Sequence, residues 1–416
     1  MSELLIGFLG DDFTGSTDAM ESLAVCGLRT VLFTSPPTAG QLARYERLRA
    51  FGVASTARSM SPPDMERTLR PAFAALRDLG APIVHYKVCS TFDSSPRVGS
   101  IGRAIDVGME VFGCRFVPVI VGAPDLGRHC VFGNLFAVVG GGEEPVRLDR
   151  HPSMSRHPVT PMDEADLRLH LSRQTDKSIA LFDVRQLELP ADEMQRRFDA
   201  LVASGAQVIL IDLLHENQLA TVGSLIARHA SPDRPLFVVG SSGVEAALCA
   251  HWGDTTATFT PPGPVEPIVV VSGSRSPVTA GQVQWALDHG FEQAPIDFTP
   301  IDCAMMRLKW GRSVIIDSGP FDPAVASEMG PLLGCILQNL LECTRVQRVV
   351  VAGGDTSGHV ARALGIESME MIAPLTRGAP LCRVSAPGSP ADGIEMVFKG
   401  GQIGGPDFFC LVERGS

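Results

Sequence analysis

The sequence predicts an α/β protein of two domains, each with a mostly parallel β-sheet flanked by helices. Three observations predict it. The chain has 416 residues, more than one ordinary core needs. Short apolar runs rich in β-branched residues alternate with helical patterns along the whole chain. The proline-rich stretch PPGPVEP at 261–267 interrupts this series, so we expect an N-terminal domain over 1–260, a linker over 261–267 and a C-terminal domain over 268–416.

The composition excludes several classes of protein. Hydrophobic residues make up 45% and charged residues 19%, a globular balance. A net charge of −11 disfavours binding to nucleic acid or anionic lipid. No apolar stretch reaches the ~18 residues of a membrane span, and the start lacks the basic segment of a signal peptide. The ten cysteines form no CxxC pair, so we expect reduced thiols in a cytoplasmic protein.

The N-terminal domain begins with the apolar run ELLIGFLG, which predicts its first strand, and TGSTDAMESLAVCG behind it predicts a helix. Further strands are predicted at RTVLFTS, FGVAST, IVHYKVC, FVPVIVG, SIALFDV, QVILIDL and PLFVVGS. Helical patterns such as MERTLRPAFAALRDLG and EMQRRFDALVASG lie between them. Strands that are apolar on both faces indicate a parallel sheet covered by helices on both sides.

An acidic turn, Gly10-Asp11-Asp12, separates the first strand from its helix. Ligand sites of parallel α/β sheets lie at the carboxyl ends of the strands, so two adjacent carboxylates there indicate chemistry. Asp12 is our candidate for the group that accepts a proton, and Asp11 for its partner. The alternative is that one of the two only caps the helix that starts near Thr14.

Two polar patches follow other predicted strands. STARSM (55–60) offers Arg58, and YKVCSTFDSSPRVGSIGRA (86–104) offers further polar side chains. Cations and hydroxyls in these places suit a small polyhydroxylated carboxylate. The candidate substrate-binding residues are Arg58, Lys87, Ser90, Thr91 and Asp93. Alternatives remain for two of them, because Asp93 is also typical of a turn and Lys87 of a solvated strand position.

The segment 140–165 is long and irregular, which is typical of lids, binding segments or mobile loops. Within it, Asp163 precedes an amphipathic run and is expected to cap a helix. His151 and His157 lie in its proline-rich part, where we expect solvated side chains.

The C-terminal domain has predicted strands at IVVVSGS, SVIIDSG, RVVVAGG, PLCRVSA and MVFKGG. Three of them end in turns of small residues, where backbone N–H groups approach an anion closely. The candidate cofactor-binding residues there are Ser274, Ser276, Gly353, Gly354, Asp355, Thr356, Lys399, Gly400 and Gly401. Neither GxxxxGK[ST] nor GxGxxG is present, so we expect a nucleotide held without a P-loop or a dinucleotide fold.

Seven blocks in order make the chain resemble the four-carbon acid sugar kinase family: GDDFTGSTD, YKVCSTFDSSPRVGSIGRA, HPVTPMDEADL, VGSSGVEAAL, SGSRSPVTAGQ, VAGGDTSGHVARALGI and FKGGQIGGPDFF. The resemblance implies an N-terminal acid-sugar domain and a C-terminal ATP domain with the active site between them. It implies phosphorylation of the terminal hydroxyl of D-threonate, D-erythronate or 3-oxo-tetronate. Two loops depart from the usual pattern: GGDTS, where many relatives have a glutamate before the threonine, and KGGQIGG, where many read more like KxGNFG.

The resemblance implies ATP, and phosphoryl transfer needs Mg²⁺ to neutralise phosphate charge. Our hypothesis is that Asp12 is the base and that Asp11 orients it or helps to position the metal. The roles of the two aspartates could be exchanged, and the metal ligands are unknown. Two other functions stay open: an acid-sugar and nucleotide sensor without catalysis, and a Mg²⁺-dependent sugar-phosphate phosphohydrolase. The sequence does not choose among the acid sugars, and it leaves the oligomeric state open while allowing a homodimer.

Overall fold

The computed structural model describes residues 4–139, 142, 144–253, 256–294, 296, 300–319 and 326–415. Its strands are β1 Ile6–Gly10, β2 Thr30–Phe33, β3 Ala50–Ala54, β4 Ile83–Lys87, β5 Val117–Ile120, β6 Arg128–Val131, β7 Asn134–Val138, β8 Pro145–Arg147, β9 Ile179–Phe182, β10 Val208–Ile211, β11 Leu236–Gly240, β12 Val269–Ser272, β13 Glu292–Ala294, β14 Val314–Asp317, β15 Arg348–Ala352, β16 Ser368–Thr376, β17 Ala379–Ser385 and β18 Glu395–Lys399. Its helices are α1 Phe13–Val25, α2 Ala39–Leu42, α3 Pro62–Asp78, α4 Ile101–Phe112, α5 Leu167–Ser172, α6 Val184–Leu187, α7 Ala191–Ala203, α8 Leu219–Ala227, α9 Gly243–Trp252, α10 Pro277–Asp288, α11 Pro300–Lys309, α12 Ala326–Cys343, α13 Gly354–Ala363 and α14 Phe408–Arg414.

Most of the described strands form one sheet in the order β13-β14-β12-β15-β18-β17-β16-β2-β3-β1-β4-β11-β5-β10-β9. The eight strands from β2 to β9 in this order are parallel and belong to the N-terminal half. Strands β13, β14, β12, β15 and β18 are parallel and belong to the C-terminal half. The predicted α/β class, with a mostly parallel sheet and flanking helices, is confirmed.

The antiparallel strands β16 and β17 join the two halves. β16 pairs with β2, so that Ser368 lies opposite Phe33 and Glu370 opposite Val31. β17 lies between β16 and β18 and is antiparallel to both. The sequence predicted two sheets, and it did not predict that an antiparallel hairpin would connect them into one.

Each apolar run that predicted a strand contains one in the structure. The sequence analysis missed β13, β16 and a separate antiparallel sheet of β6, β7 and β8. These strands are short or mixed in polarity: β7 alternates between buried and half-buried residues, and β6 has one buried residue, Cys130, as expected of a sheet covered on one face.

The core runs across the junction between the halves. One cluster of buried apolar residues contains Phe13 of α1 and Phe398 of β18, whose ring centroids are 4.9 Å apart. The Tyr45 hydroxyl lies 2.6 Å from Ser368 Oγ, and the backbone N–H of Gly378 donates to Glu21 over 2.7 Å. These contacts, with the β2–β16 pairing, hold the two halves together beside the site described below.

The proline-rich stretch 261–267 contains neither helix nor strand. The backbone N–H of Val265 donates to Glu413 O, and Arg348 Nη1 donates to Gly263 O and Val412 O. The segment is therefore held against the C-terminal helix, and its role as the domain boundary remains our proposal. No helix among the described residues has the length and apolar character needed to cross a membrane.

Candidate active site

The acidic turn, the turn after β3 and the loop after β4 meet at the carboxyl edge of the N-terminal strands. Backbone hydrogen bonds fix this meeting, because Asp11 N–H donates to Lys87 O and Ser55 N–H donates to Gly10 O. A cavity of about 340 Å³ opens there, between the two halves of the chain. Its lining residues are Asp11, Asp12, Phe13, Ser55, Thr56, Arg58, Ser59, Asp93, His157, Pro158, Val159, Thr160, Gly354, Asp355 and Gly358.

Arg58 binds both carboxylates of the acidic turn. Its Nε and Nη2 atoms donate to the two oxygens of Asp11 over 3.1 and 2.7 Å. Its Nη1 atom lies 2.7 Å from Asp12 Oδ2. The predicted partner of Arg58 was a carboxylate of the substrate, but in this structure all three guanidinium nitrogens already face protein carboxylates. Arg58 therefore fixes the orientation of the acidic pair.

The two aspartates differ in their surroundings. Asp12 is the N-cap of α1, and its Oδ1 accepts the N–H of Gly15 over 2.6 Å. The alternative that one aspartate caps the helix thus holds for Asp12, which also lines the cavity. Asp11 is only 4% exposed, and burial raises its pKa to about 6 against the opposing effect of Arg58.

Lys87 is buried beneath the first turn of α1. It is 3% exposed, so it is not the solvated strand residue of the alternative interpretation. Its Nζ lies 3.3 Å from Asp18 Oδ2. Burial lowers its pKa, but the attraction of Asp18 and Glu245 outweighs burial, so the pKa lies above its usual value. Lys87 is not among the residues that line the cavity.

The loop after β4 places only one of its predicted residues in the cavity wall, Asp93. Thr91 is buried behind it and donates to Asp93 Oδ1 over 2.6 Å. Phe92, between them, has a φ of +55° and a fully buried side chain. Ser90 is half-buried and does not line the cavity. Asp93 thus lies in the cavity wall with the Thr91 hydroxyl bound to its side chain.

The C-terminal half contributes the N-terminus of α13. Gly353 precedes it with a φ of +119°, and no side chain caps the helix. Gly354 and Asp355 line the cavity, whereas Thr356 is buried behind them. A methyl group at Gly354 would lie 3.7 Å from Thr14 Oγ1 of α1. The acidic turn of one half and the glycine turn of the other are therefore neighbours across the cavity.

The remaining predicted cofactor residues form a cluster next to this turn. A Cβ at Gly401 would lie 2.8 Å from Ser274 Oγ, and a Cβ at Gly400 would lie 4.0 Å from Thr14 Oγ1. Ser276 caps α10 by accepting the N–H of Val278. The structure thus brings the three small-residue turns together.

Lys399 lies at the end of β18 beneath this cluster, and its side chain is fully buried. Its Nζ donates to Thr279 Oγ1 over 3.1 Å and lies 5.5 Å from the centroid of the Phe408 ring. No carboxylate among the described residues pairs with it, and burial lowers its pKa to about 8. A buried cation beside glycine turns is suited to a bound anion.

The loop from His157 to Thr160 forms the part of the cavity wall that the sequence analysis missed. Two signals pointed to this loop: the length of the irregular segment 140–165, and the block HPVTPMDEADL, which begins at His157 and belongs to the family resemblance. His151 was expected to be solvated, but it is 7% exposed, and its Nδ1 accepts two backbone N–H groups, those of Ser153 and Met154. The expected cap at Asp163 is wrong: Asp166 caps α5, whereas Asp163 pairs with Arg173.

No group of three His, Cys, Asp or Glu side chains within the described ranges is placed to hold a metal ion. Asp11 and Asp12 nevertheless offer carboxylate oxygens beside the glycine turn. Mg²⁺ in nucleotide sites is commonly held by one or two carboxylates together with phosphate oxygens and water. The residues present fit that arrangement.

Two family models match separate parts of this chain. The family model described as "Sugar-binding N-terminal domain" matches residues 6–248, and that described as "Nucleotide-binding C-terminal domain" matches residues 312–409. A curated 3-oxo-isoapionate kinase from Paraburkholderia graminis is 45% identical, with 99% of this chain and 94% of the relative covered. A 3-oxo-tetronate kinase from Methylobacterium radiotolerans is 31% identical, with 98% of each covered.

A solved structure of a protein from Salmonella typhimurium LT2 has a TM-score of 0.80, with 25% identity and 98% of each chain covered. One from Haemophilus influenzae has a TM-score of 0.75, with 23% identity and 98% of this chain and 99% of the other covered. These two share the fold. The family models and the curated kinases show that this chain belongs to the four-carbon acid sugar kinase family and is a phosphotransferase that acts on a hydroxyl group.

Proposed function

We propose that this protein transfers the γ-phosphoryl group of ATP to the terminal hydroxyl of a small acid sugar bound against the acidic turn. One observation carries the proposal: Asp11 and Asp12 share a cavity with Gly354 and Asp355 of the glycine turn. Phosphoryl transfer needs a hydroxyl acceptor, a carboxylate close to it and a polyphosphate site within a few ångströms. The cavity brings the carboxylates of the acidic turn together with the glycine turn that we propose as part of the polyphosphate site.

The nucleotide site is proposed at the cluster of the three turns. The open N-terminus of α13 presents backbone N–H groups, which favour an anion. Gly353, Gly400 and Gly401 leave the space that a Cβ would fill, and Lys399 supplies a buried positive charge. Ser274 and Ser276 add hydroxyl groups at the same place. Mg²⁺ would neutralise phosphate charge during transfer, held by phosphate oxygens and one or both aspartates.

Asp12 is proposed to accept the proton of the attacking hydroxyl. It is more accessible than Asp11, since their side chains are 22% and 6% exposed. Arg58 would hold it in place, and Asp11, bound through two hydrogen bonds, would fix Arg58. In this assignment Arg58 orients the acidic pair, and it contacts the substrate only through N–H groups that do not bind Asp11 or Asp12. Lys87 would act from beneath, through Asp18 and the first turn of α1.

Two oxo acid sugars are the first substrate candidates because of the names of the relatives. The 45% identical relative is a 3-oxo-isoapionate kinase, and several relatives at 26 to 31% identity are 3-oxo-tetronate kinases. D-threonate and D-erythronate are the further candidates. We also retain the cytoplasmic location and a homodimer as proposals.

The test is an ADP-release assay with Mg-ATP and each candidate acid sugar, with phosphate release measured in parallel. Turnover with one acid, lost in Asp12→Asn, is the expected result. Phosphate released from sugar phosphates without ATP would instead identify a phosphohydrolase. Acid and nucleotide binding without turnover of any acid would identify a sensor.

A further inference from the structure

His157 lies in the wall of the proposed active site, although its local sequence predicted a solvated side chain. It ends the short 3-10 turn Met154–Arg156 and shares the cavity with Asp12 and Asp93. The loop around it is well anchored, because the N–H groups of His157 and Met162 both donate to Met154 O, over 3.2 and 2.9 Å. His157, a half-buried residue of the cavity wall, is therefore held by a fixed backbone.

The hydrogen bonds of the loop determine which ring nitrogen of neutral His157 carries the proton. The backbone N–H of Thr160 donates to His157 Nδ1 over 3.1 Å, and Thr160 Oγ1 lies 3.0 Å from the same atom. A backbone N–H can only donate, so Nδ1 must be the acceptor. The proton of the neutral ring then lies on Nε2, which has no hydrogen-bond partner among the described residues.

This N–H is unusual in the cavity because the other side-chain N–H donor of the described wall, Arg58, already binds two carboxylates. Besides the hydroxyl groups of its serines and threonines, the wall carries four carboxylates, those of Asp11, Asp12, Asp93 and Asp355. An acid sugar brings its own negative charge into this surrounding. It needs a donor that is not already engaged, and His157 Nε2–H is one.

We propose that His157 is a substrate-binding residue whose Nε2–H donates to an sp² oxygen of the acid sugar, in its carboxylate or its oxo group. The proposal rests on the proposed function, since it assumes that the acid sugar occupies this cavity. The loop from His157 to Thr160 would then help to select acids over neutral sugars. His157 Nδ1 would hold the loop, and Nε2–H would bind the substrate.

Two substitutions separate these two tasks of the ring. In His157→Asn the side-chain oxygen can still accept the Thr160 N–H from the Nδ1 position, but no donor reaches the Nε2 position. In His157→Gln the amide can present an N–H near the Nε2 position, but the short acceptor is lost. We expect Asn to raise KM for the acid sugar about ten- to a hundredfold, as the loss of a hydrogen bond to a charged group does, and Gln to restore part of it.

His151→Asn is the matched control. His151 makes the same kind of cap in the same loop, with Nδ1 accepting the N–H groups of Ser153 and Met154, but it does not line the cavity. We expect its KM for the acid sugar to stay within about twofold of the wild type, since Asn can also accept a backbone N–H. KM for ATP should not change in any of the three variants, and Tm reports on folding.

A merely structural role for His157 predicts the opposite order, with Asn close to the wild type and Gln worse, and that order would overturn the proposal. Comparing each oxo acid with its reduced hydroxy acid identifies the oxygen: a penalty confined to the oxo acid indicates the oxo group, and a penalty on both indicates the carboxylate. If the wild type shows no turnover, calorimetry of the acids on wild type and His157→Asn tests binding alone. Binding weakened by Asn would then support this inference while the proposed function fails, and no binding by the wild type would overturn both.

Discussion

The buried charge of Lys399 gives the sharpest test of the nucleotide site. The substitution is Lys399→Met, which keeps the length and the apolar stem of the side chain and removes the charge. Lys399 is fully buried without a carboxylate partner among the described residues, so its charge costs free energy in the free protein. A polyphosphate bound beside Lys399 would offset this free energy, because its negative charge favours the charged form of the lysine.

The magnitudes follow from the lowered pKa. Lowering it from 10.5 to about 8 corresponds to about 3 kcal/mol of preference for the neutral form. The folded pKa lies below the unfolded one, so the folded protein holds fewer protons between these two values and its stability rises as pH rises through that window. Nucleotide binding needs the charged form, so Kd should rise about tenfold between about pH 7 and pH 9. Stability and affinity thus change in opposite directions.

The assay is calorimetric titration of ADP into wild type and Lys399→Met over this pH range, with chemical denaturation in parallel. The variant should bind ADP about ten- to a hundredfold more weakly near pH 7, and it should be more stable there than the wild type. Lys309→Met, at an exposed position of the same half, is the control and should change neither. Equal Kd values and equal pH slopes for wild type and Lys399→Met would refute the reasoning.

Three further substitutions test other parts of the structure. Asp12→Asn should lower kcat about 100-fold or more in the ADP-release assay with little change in Tm, and near-normal kcat would remove Asp12 from the mechanism. Glu21 is 6% exposed, and burial raises its pKa to about 7 although the Gly378 N–H opposes this, so the folded state favours the protonated acid. Its contribution to stability is therefore lost as pH rises from 4.5 towards 7. Chemical denaturation should show that Glu21→Gln is more stable than the wild type above pH 7. Equal stability of the two proteins at all pH values would contradict this. Arg348 is fully buried and binds both Glu395 and the carbonyl oxygen of Gly263 in the proline-rich stretch. Arg348→Ala should therefore cost about 3–5 kcal/mol of unfolding free energy, and a loss below about 1 kcal/mol would show that these contacts do not stabilise the fold.

The sequence by itself determined most of the strands and the chemistry of their ends. Runs such as QVILIDL and RVVVAGG are apolar on both faces, which is typical of a covered parallel strand. Their alternation with helical patterns along the chain predicts an α/β fold. Two adjacent acids follow the first strand, and small residues follow three strands of the C-terminal half. These residues indicate ligand sites even when the order of strands in the sheet is unknown. These signals are local, because strand propensity and turn chemistry depend on neighbouring residues.

The tertiary structure decided which of these residues meet. The pairing of β16 with β2 joins residues more than 330 positions apart, and no local pattern encodes such a pairing. The same holds for Arg58, which could face a ligand or a protein carboxylate and whose actual partners are Asp11 and Asp12, 47 and 46 positions away. His157 could be solvated by its local sequence, yet long-range packing brings it to the cavity. The local sequence thus determined which polar groups each turn carries. The packing of distant segments determined which partners those groups contact.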